Sequence, residues 1–280
     1  MKIIHYLTIL RPVNAAMAAG AVWLGAWISS SPLPAGPIFL LATVAFLSTG
    51  FGNVVNDLLD RHTDRISHPD RPLPSGTVSV RNAFGYLVFL GIAALLIAFL
   101  VAPRYGYATM LPLAALVLYA LFLKGTPLAG NLLVSLLVAY ALVFGSLGAP
   151  GLRRLVLPAL LAMLLNLSRE IIKDIEDAPG DTAAGITTSA ALPPELLKKF
   201  LLISSILYGM TVFLPYFLGH FGFPYVIVIS LAVLPLHIVR LRLLLKASWT
   251  AYCSTMSLLL KIEMLLGLVA LAVDHLTATV

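Results

Sequence analysis

Apolar residues run along this chain in nine long stretches separated by shorter polar segments. The stretches lie at residues 13–28, 37–55, 83–101, 107–123, 131–144, 155–167, 200–218, 224–239 and 252–273. They are continuous and do not alternate, which favours helices over lipid-facing barrel strands, and uncharged flanks bring the shorter ones to spanning length. Since only closed hydrogen-bonding patterns persist in hydrocarbon, the pattern predicts an all-α polytopic membrane protein with about nine transmembrane helices.

Two polar segments are longer than the others and suggest an internal repeat. Residues 56–82 follow the second apolar stretch, and residues 169–199 follow the sixth. Four crossings separate the two segments, which is typical of a duplicated unit in membrane proteins that have a central site. We therefore predict one domain over residues 1–280, with two parallel four-helix repeats (roughly 1–124 and 125–246), a central cavity and a ninth helix at 247–280.

Composition supports the membrane interpretation and excludes other classes. The chain is 60% hydrophobic and 11% charged, with a mean hydropathy of +0.99, which is too apolar for a soluble domain of this length. With a cytoplasmic N-terminus, most Lys and Arg residues, Arg240 among them, fall on the cytoplasmic side. The net charge of +6 therefore needs no nucleic acid, although it suits anionic membrane lipids. A single cysteine, Cys253, excludes an internal disulfide framework.

Nine of the twelve carboxylates lie in two short stretches within these segments, Asp57–Asp70 and Glu170–Asp181. Three aspartates in each segment repeat one spacing, three residues and then four: Asp57, Asp60 and Asp64, then Asp174, Asp177 and Asp181. On a continuous helix Asn56, Asp60 and Asp64 would share one face. In the second segment Pro179-Gly180 predicts a turn before Asp181.

Convergent carboxylates at the edge of an apolar bundle repel one another unless a cation neutralises them. Asp and Asn oxygens, without paired His or Cys nearby, favour Mg²⁺ or a similar hard ion. Because Mg²⁺ usually combines one or two carboxylates with substrate phosphates, the two clusters predict a pyrophosphate held between bridging metals. Basic side chains predicted at the same helix ends would contact the phosphate oxygens: Arg71, Lys124, Arg169 and Lys173.

Simpler interpretations exist for each residue taken singly. Solvated loop charge explains any one aspartate, and the bias of cations toward the cytoplasm explains Lys124 equally well. It is the duplicated spacing on one side of the membrane that favours a shared site. His62 and His68 are interpreted as neutral loop histidines. Lys261 and Glu263, two residues apart in the ninth stretch, cannot share a helix face closely, so each needs a partner elsewhere.

The motifs resemble those of a known family. Residues 56–64 (NDLLDRHTD) and 71–76 (RPLPSG) resemble the first aspartate-rich motif of the UbiA-type intramembrane prenyltransferase superfamily. Residues 174–181 (DIEDAPGD) resemble its second motif, and 123–124 (LK) with 130–131 (GN) resemble its connection between the fourth and fifth helices. The resemblance covers essentially the whole chain, which is identified as a member on these motifs.

The resemblance implies Mg²⁺-dependent transfer of a polyprenyl group from an allylic diphosphate to an acceptor. It implies that the metal-diphosphate unit is bound by Asn56, Asp57, Asp60, Asp64, Asp174, Asp177 and Asp181. It also implies that the catalytic residues are Asp60, Asp64, Asp177, Asp181 and Lys124. The departing pyrophosphate would be neutralised by Arg71, Lys124 and Lys173.

The acceptor is predicted from a narrower resemblance. Residues 169–177 (REIIKDIED) and 10–14 (LRPVN) resemble the branch containing the digeranylgeranylglyceryl phosphate synthases, although Ala178-Pro179 departs from its pattern. This implies geranylgeranylglyceryl phosphate as the acceptor, in ether-lipid synthesis at the cytoplasmic side of the cell membrane. An aromatic acceptor such as 4-hydroxybenzoate is the alternative. A transporter is the remote one, because transport sites usually lie at the bilayer midplane whereas these aspartates flank helix ends.

Overall fold

The computed structural model describes residues 3–183 and 185–278, and the described chain is helical throughout, without a β-strand. In chain order the helices are α1 Ile3–Leu10, α2 Pro12–Ile28, α3 Ala35–Leu59, α4 Asp64–Ser67, α5 Val80–Val101, α6 Pro103–Leu118, α7 Ala129–Phe144, α8 Arg153–Ala183, α9 Pro194–Thr211, α10 Leu214–Phe217, α11 Phe223–Val228, α12 Leu234–Leu245 and α13 Cys253–Ala278. Single π turns, Tyr119–Leu123 and Ile229–Val233, extend α6 and join α11 to α12. Short 3₁₀ turns, Ser189–Ala191 and Trp249–Tyr252, precede α9 and α13.

Seven helical segments are long and apolar enough to cross a membrane, so the protein is a multi-pass membrane protein. They are Ala35–Leu59, Val80–Val101, Pro103–Leu123, Arg153–Ala183, Pro194–Phe217, Phe223–Leu245 and Trp249–Ala278. The bent pair α1–α2 makes an eighth span if it is counted as one, whereas α7 is apolar but has only 16 residues. Every predicted apolar stretch coincides with a helix or a broken helix, but the expected number of nine spans is not confirmed.

The bend between α1 and α2 is centred on Arg11. The two helices meet at 56°, and Arg11 has a left-handed backbone with φ 52° and ψ 67°. Proline disfavours the right-handed helical region for the residue before it. Pro12 can therefore begin α2, while Arg11 leaves the helical conformation and separates α1 from α2. The break places the N-terminal helix pair against the carboxyl end of α3, where Asn53 Nδ2 donates to Leu10 O at 2.9 Å.

Small residues let α2 and α7 pack in backbone contact. A Cβ built on Gly25 would overlap the carbonyl oxygen of Leu142, and one built on Gly145 would overlap that of Val22. Close approach through small residues is a usual way of joining helices in a membrane, where lipid offers no hydrophobic drive for association. The α2–α7 contact therefore depends on glycine at both positions.

A buried ion pair joins the last three spans. Arg240 Nε donates to Glu263 Oε1 at 2.8 Å, and Arg240 Nη1 donates to Ser205 Oγ at 2.8 Å. His237 Nδ1 lies 3.2 Å from Glu263 Oε2. Arg240 is 1% exposed and held by a carboxylate, so it is a buried residue of the bundle, which its count among the basic residues did not predict. Glu263, which the sequence left unassigned, is its partner.

The local structure of both acidic motifs differs from the helices and turns predicted. α3 ends at Leu59 and α4 begins at Asp64, so Asn56, Asp60 and Asp64 do not lie on one helix face. Conversely, α8 continues through Pro179 and Gly180, and Asp181 lies on it. The proline removes only one helical hydrogen bond, and the stop signal is Gly185, whose φ of 71° is typical of a glycine that terminates a helix.

Candidate active site

The first motif begins with a buried aspartate at the carboxyl end of α3. Asp57 is 3% exposed, and its Oδ1 accepts a hydrogen bond of 2.5 Å from Arg11 Nη2. The left-handed backbone at Arg11 allows this contact because it turns α1 away from the direction of α2. A buried carboxylate needs such a partner to offset the loss of water. Asp57 therefore fastens the N-terminal bend to the first motif.

The second aspartate of this motif forms an ion pair with the lysine that follows the carboxyl-terminal extension of α6. Asp60 follows the last residue of α3, and its carboxylate forms an ion pair with Lys124. Lys124 directly follows the π turn Tyr119–Leu123, a distortion that is frequent at functional sites. A Cβ on Gly130 would lie 2.8 Å from Leu123 O and from the Tyr119 ring, so glycine lets α7 approach this turn.

The third aspartate of the motif holds the loop that follows it. Asp64 Oδ1 accepts a hydrogen bond of 2.7 Å from Arg71 Nη1, whereas Asp64 Oδ2 is buried without a hydrogen-bond partner. Val78 N donates to Pro72 O at 3.0 Å, which closes the loop, and Leu73 and Val78 are buried beneath it. The loop is thus a packed structure, and an unpaired carboxylate oxygen remains at its base.

The second motif lies on the last three turns of α8. Asp174 Oδ2 accepts three hydrogen bonds, from Asn131 Nδ2 at 3.0 Å and from Ser189 N and Oγ at 3.1 and 2.6 Å. The Asn131 of the predicted helix connection is therefore brought to the second motif. Three donors on one oxygen leave Asp174 Oδ1 free to accept a further ligand.

The two motifs touch through a histidine. His68 Nε2 lies 2.9 Å from Asp177 Oδ1, and Lys173 Nζ lies 4.0 Å from Asp177 Oδ2. His68, which the sequence predicts to be a loop histidine, does lie outside the helices, and its contact with the second motif was not predicted. Its position four residues after Asp64 held no signal for this contact, because a link between segments over one hundred residues apart is set by tertiary packing alone.

Lys124 is shared by the two motifs. It pairs with Asp60 and lies within electrostatic range of Asp181, which in turn lies within range of Asp60. The half-buried Tyr119 lies among carboxylates of both motifs, within electrostatic range of Asp60, Asp174 and Asp181. The sequence reasoning did not identify Tyr119, whose only signal is its place five residues before Lys124.

The aspartates of the first motif are each paired with a cation of the chain, Asp57 with Arg11, Asp60 with Lys124 and Asp64 with Arg71. In the second motif, Asp177 contacts His68, and Asp174 is held by neutral donors. Within residues 3–183 and 185–278, no group of three His, Cys, Asp or Glu side chains is arranged to hold a metal ion, and the Asn56 side chain makes no hydrogen bond. The two motifs thus meet at one end of the bundle, which we call the mouth, and the metal-ligand set drawn from them stays a prediction.

A cavity of about 420 Å³ lies beside this mouth, between α8 and the start of α13. Its polar lining includes His68, Arg71, Lys173, Asp177 and Ser254. Arg169, predicted with the diphosphate-binding residues, lies one turn deeper on α8, where its Nη1 donates to Glu170 Oε1 at 2.9 Å. The predicted cations therefore fall into a group at the mouth and a single deeper residue.

Comparison with known proteins agrees with the motifs. The model of the UbiA prenyltransferase family matches residues 18–270. The digeranylgeranylglyceryl phosphate synthase of Methanothermobacter thermautotrophicus is 35% identical over 282 residues, covering 98% of this chain and 97% of that protein. A solved structure of a digeranylgeranylglyceryl phosphate synthase has a TM-score of 0.77 at 29% identity, covering 98% of this chain and 99% of that one.

A more distant solved structure shares the fold. The UbiA homolog from Archaeoglobus fulgidus bound to GPP and Mg²⁺ has a TM-score of 0.62 at 17% identity, and the alignment covers 96% of this chain and 100% of that one. The family model spans most of the chain, and the Methanothermobacter relative matches it along nearly its whole length. The chain therefore belongs to the UbiA prenyltransferase family and is a prenyltransferase.

Proposed function

We propose that this protein transfers a geranylgeranyl group from geranylgeranyl diphosphate to geranylgeranylglyceryl phosphate, in a Mg²⁺-dependent step of ether-lipid synthesis. The diphosphate and metal would lie between the two acidic motifs, in contact with Asn56, Asp57, Asp60, Asp64, Asp174, Asp177 and Asp181. The pyrophosphate oxygens would meet Arg71, Lys124 and Lys173. The site would face the cytoplasm at the cell membrane, in agreement with the distribution of Lys and Arg along the chain.

The observation that supports this proposal most is the direct contact between the two motifs, in which His68 Nε2 lies 2.9 Å from Asp177 Oδ1. On another side, Lys124 pairs with Asp60 of the first motif, and its charge also acts on Asp181 of the second. A diphosphate bound at this mouth would therefore be in reach of carboxylates and cations from both halves of the chain.

The donor set fits Mg²⁺ that is completed by substrate. All candidate ligands are carboxylate or amide oxygens, which suit a hard divalent ion. Asp64 Oδ2 is buried without a partner, and Asp174 accepts only through Oδ2, so unpaired oxygens remain in both motifs. The lack of a group of three ligands in the described chain agrees with an ion that takes the rest of its ligands from phosphate and water.

The reaction exchanges one carbon–oxygen bond for another. The bond between C1 of the prenyl chain and the diphosphate oxygen breaks, and its electron pair leaves with the pyrophosphate. The acceptor hydroxyl oxygen bonds to C1, and its proton leaves on the pyrophosphate. When bound, Mg²⁺ neutralises the charge that develops on the leaving group.

The side chains of the site have two tasks in this step. Arg71, Lys124 and Lys173 donate hydrogen bonds to the departing oxygens, where charge-assisted bonds are strongest. The apolar bundle below the mouth excludes water from the allylic cation, which would otherwise be hydrolysed.

The acceptor is supported by the relatives. The Methanothermobacter protein that matches 98% of this chain, and the solved structure at 29% identity, are both digeranylgeranylglyceryl phosphate synthases. The test incubates purified protein with geranylgeranyl diphosphate and Mg²⁺, adding either geranylgeranylglyceryl phosphate or 4-hydroxybenzoate. We expect the diether product from the first acceptor only. Product from 4-hydroxybenzoate alone would overturn the acceptor and leave prenyl transfer standing.

A further inference from the structure

Helices α8 and α13 pack antiparallel in a register that one side-chain contact sets. At the mouth, Glu176 accepts a hydrogen bond from Ser254. Deeper in the bundle this register brings Arg169 beside Lys261 as a second pair, in agreement with the influence of the Arg169 charge on Lys261. From the first pair to the second the chain moves seven residues on each helix, so Arg169 and Lys261 lie level with each other, about 10 Å below the first pair.

These two cations have too few anions around them. Arg169 has Glu170 as its ion-pair partner, and its buried Nε has no hydrogen-bond partner. Lys261 is half-buried and makes no ion pair or hydrogen bond with any described residue. Arg169 thus has one carboxylate and Lys261 has no ion-pair partner among the described residues. Both lie on membrane-spanning helices, where ionisable residues are expensive and commonly functional.

We propose that Arg169 and Lys261 bind the phosphate of the lipid acceptor, an inference that rests on the proposed function. A phosphomonoester supplies the negative charge that the pair lacks, and its oxygens can accept from the unpaired Arg169 Nε and from Lys261 Nζ. The inference moves Arg169 from the diphosphate-binding set predicted from the sequence to the acceptor, and it gives the unassigned Lys261 a role.

The position suits the geometry of the acceptor. A glyceryl phosphate with one ether chain has its free hydroxyl at most two carbons from the carbon that bears the phosphate. Because that hydroxyl must reach C1 of the donor, the acceptor phosphate has to lie close to the diphosphate. Arg169 lies five residues before Asp174 on α8, a rise of about 7.5 Å. The cavity begins at Lys173, one turn above Arg169, and extends to Ser254, two turns above Lys261, so it offers room for the rest of the headgroup.

The test compares two acceptors that differ only in the phosphate, geranylgeranylglyceryl phosphate and geranylgeranylglycerol. We expect the wild-type protein to prefer the first in kcat/KM. In Lys261→Met this preference should fall at least tenfold, through KM for the phosphorylated acceptor, while KM for the prenyl diphosphate stays within twofold. Lys261→Arg should restore most of the preference. Lys199→Met, which removes an exposed lysine, is the matched control and should behave as wild type.

A binding measurement without chemistry gives the second readout. In Mg²⁺-free buffer, the phosphorylated acceptor should raise the Tm of the wild-type protein more than geranylgeranylglycerol does, and Lys261→Met should abolish the difference. Phosphatidylglycerol at the same concentration should give no such rise. An equal rise would assign the pair to bulk anionic lipid and overturn the inference.

The remaining outcomes distinguish failure of this inference from failure of the proposed function on which it rests. If wild type prenylates the phosphorylated acceptor and Lys261→Met keeps the preference, the inference fails and the proposed function stands. If Lys261→Met lowers activity with both acceptors equally, Lys261 is structural and the inference fails. If wild type uses neither acceptor, the proposed function fails first.

Discussion

His68 Nε2 lies 2.9 Å from Asp177 Oδ1, so the loop after the first acidic motif is bonded to the second motif on α8. Asp177 also faces Lys173, with Nζ 4.0 Å from its other oxygen. The imidazole thereby restricts the orientation of a carboxylate predicted to bind metal. A side chain that orients a ligand in this way commonly affects metal affinity and activity as strongly as some of the ligands themselves.

Replacing His68 by Asn should therefore weaken transfer. Because Asp177 loses the partner that orients it, we expect the concentration of Mg²⁺ for half-maximal activity to rise and kcat/KM for the prenyl diphosphate to fall by about 10–100-fold. His62→Asn is the matched control, since His62 is an exposed histidine in the turn before α4. Steady-state kinetics over a Mg²⁺ titration measures both effects. Wild-type kinetics in His68→Asn would mean that the contact has no part in catalysis.

Asp60→Ala and Asp177→Ala should each abolish transfer while the protein stays folded. Each variant removes a proposed metal ligand from one motif, and we expect a loss of more than about 100-fold in kcat at saturating Mg²⁺. Asp70→Ala, at an exposed aspartate of the same segment, should retain activity. Size-exclusion chromatography and thermal unfolding check the fold. Retained activity in either site variant would refute the assignment of that residue.

The sequence predicted the helices well because a membrane span needs a long apolar run and leaves little freedom in its placement. The acidic motifs were predicted because their spacing is repeated. The exact ends of helices were harder to predict from the sequence. Helix α8 runs through Pro179-Gly180 and ends before Gly185, and the sequence pattern alone does not distinguish a proline that a helix tolerates from one that ends it. The division into two four-helix repeats stays a prediction.

Contacts between distant segments could not be read from the pattern. Arg11, at the bend between α1 and α2, reaches Asp57 at the end of α3, and His68 reaches Asp177 across the fold. The burial of Arg240 was not predicted, because the rule that assigns cations to one side of the membrane considers position along the chain and not the ion-pair partner. Its partner Glu263 lies on another helix, and one buried ion pair is enough to bring both residues into the bundle.

Glu263→Ala should strongly destabilise the protein. The change leaves Arg240, 1% exposed, as a buried charge without its carboxylate, which costs about 3–5 kcal/mol. The double variant Arg240→Met with Glu263→Met removes both charges and should recover most of the loss, because well-packed apolar residues often replace a buried pair without penalty. Unfolding in mixed detergent measures the free energies. Equal stability of Glu263→Ala and wild type would show that the pair contributes nothing.

The glycines of α2 offer a matched pair for testing the α2–α7 contact. A Cβ on Gly25 overlaps a backbone oxygen of α7 that cannot move independently, so Gly25→Ala should destabilise the protein by about 1–3 kcal/mol. Gly20 has nothing within 4 Å of its Cβ position. Gly20→Ala should therefore leave stability unchanged or raise it by up to about 1 kcal/mol, through helix propensity. The reverse order of the two variants in detergent unfolding would contradict the packing.

Removing the metal should stop the reaction without unfolding the protein. Each carboxylate of the first motif is paired with a cation of the chain, Arg11 with Asp57, Lys124 with Asp60 and Arg71 with Asp64, so the first motif carries little uncompensated charge without metal. Treatment with EDTA should therefore abolish transfer and leave Tm nearly unchanged, and added Mg²⁺ should restore activity. The lysine matters to this balance: in Lys124→Met the apo protein should have a lower Tm than the wild type, and Mg²⁺ together with a prenyl diphosphate should recover part of the difference. A large fall in the wild-type Tm on chelation would mean that the metal, and not these cations, holds the motifs in place.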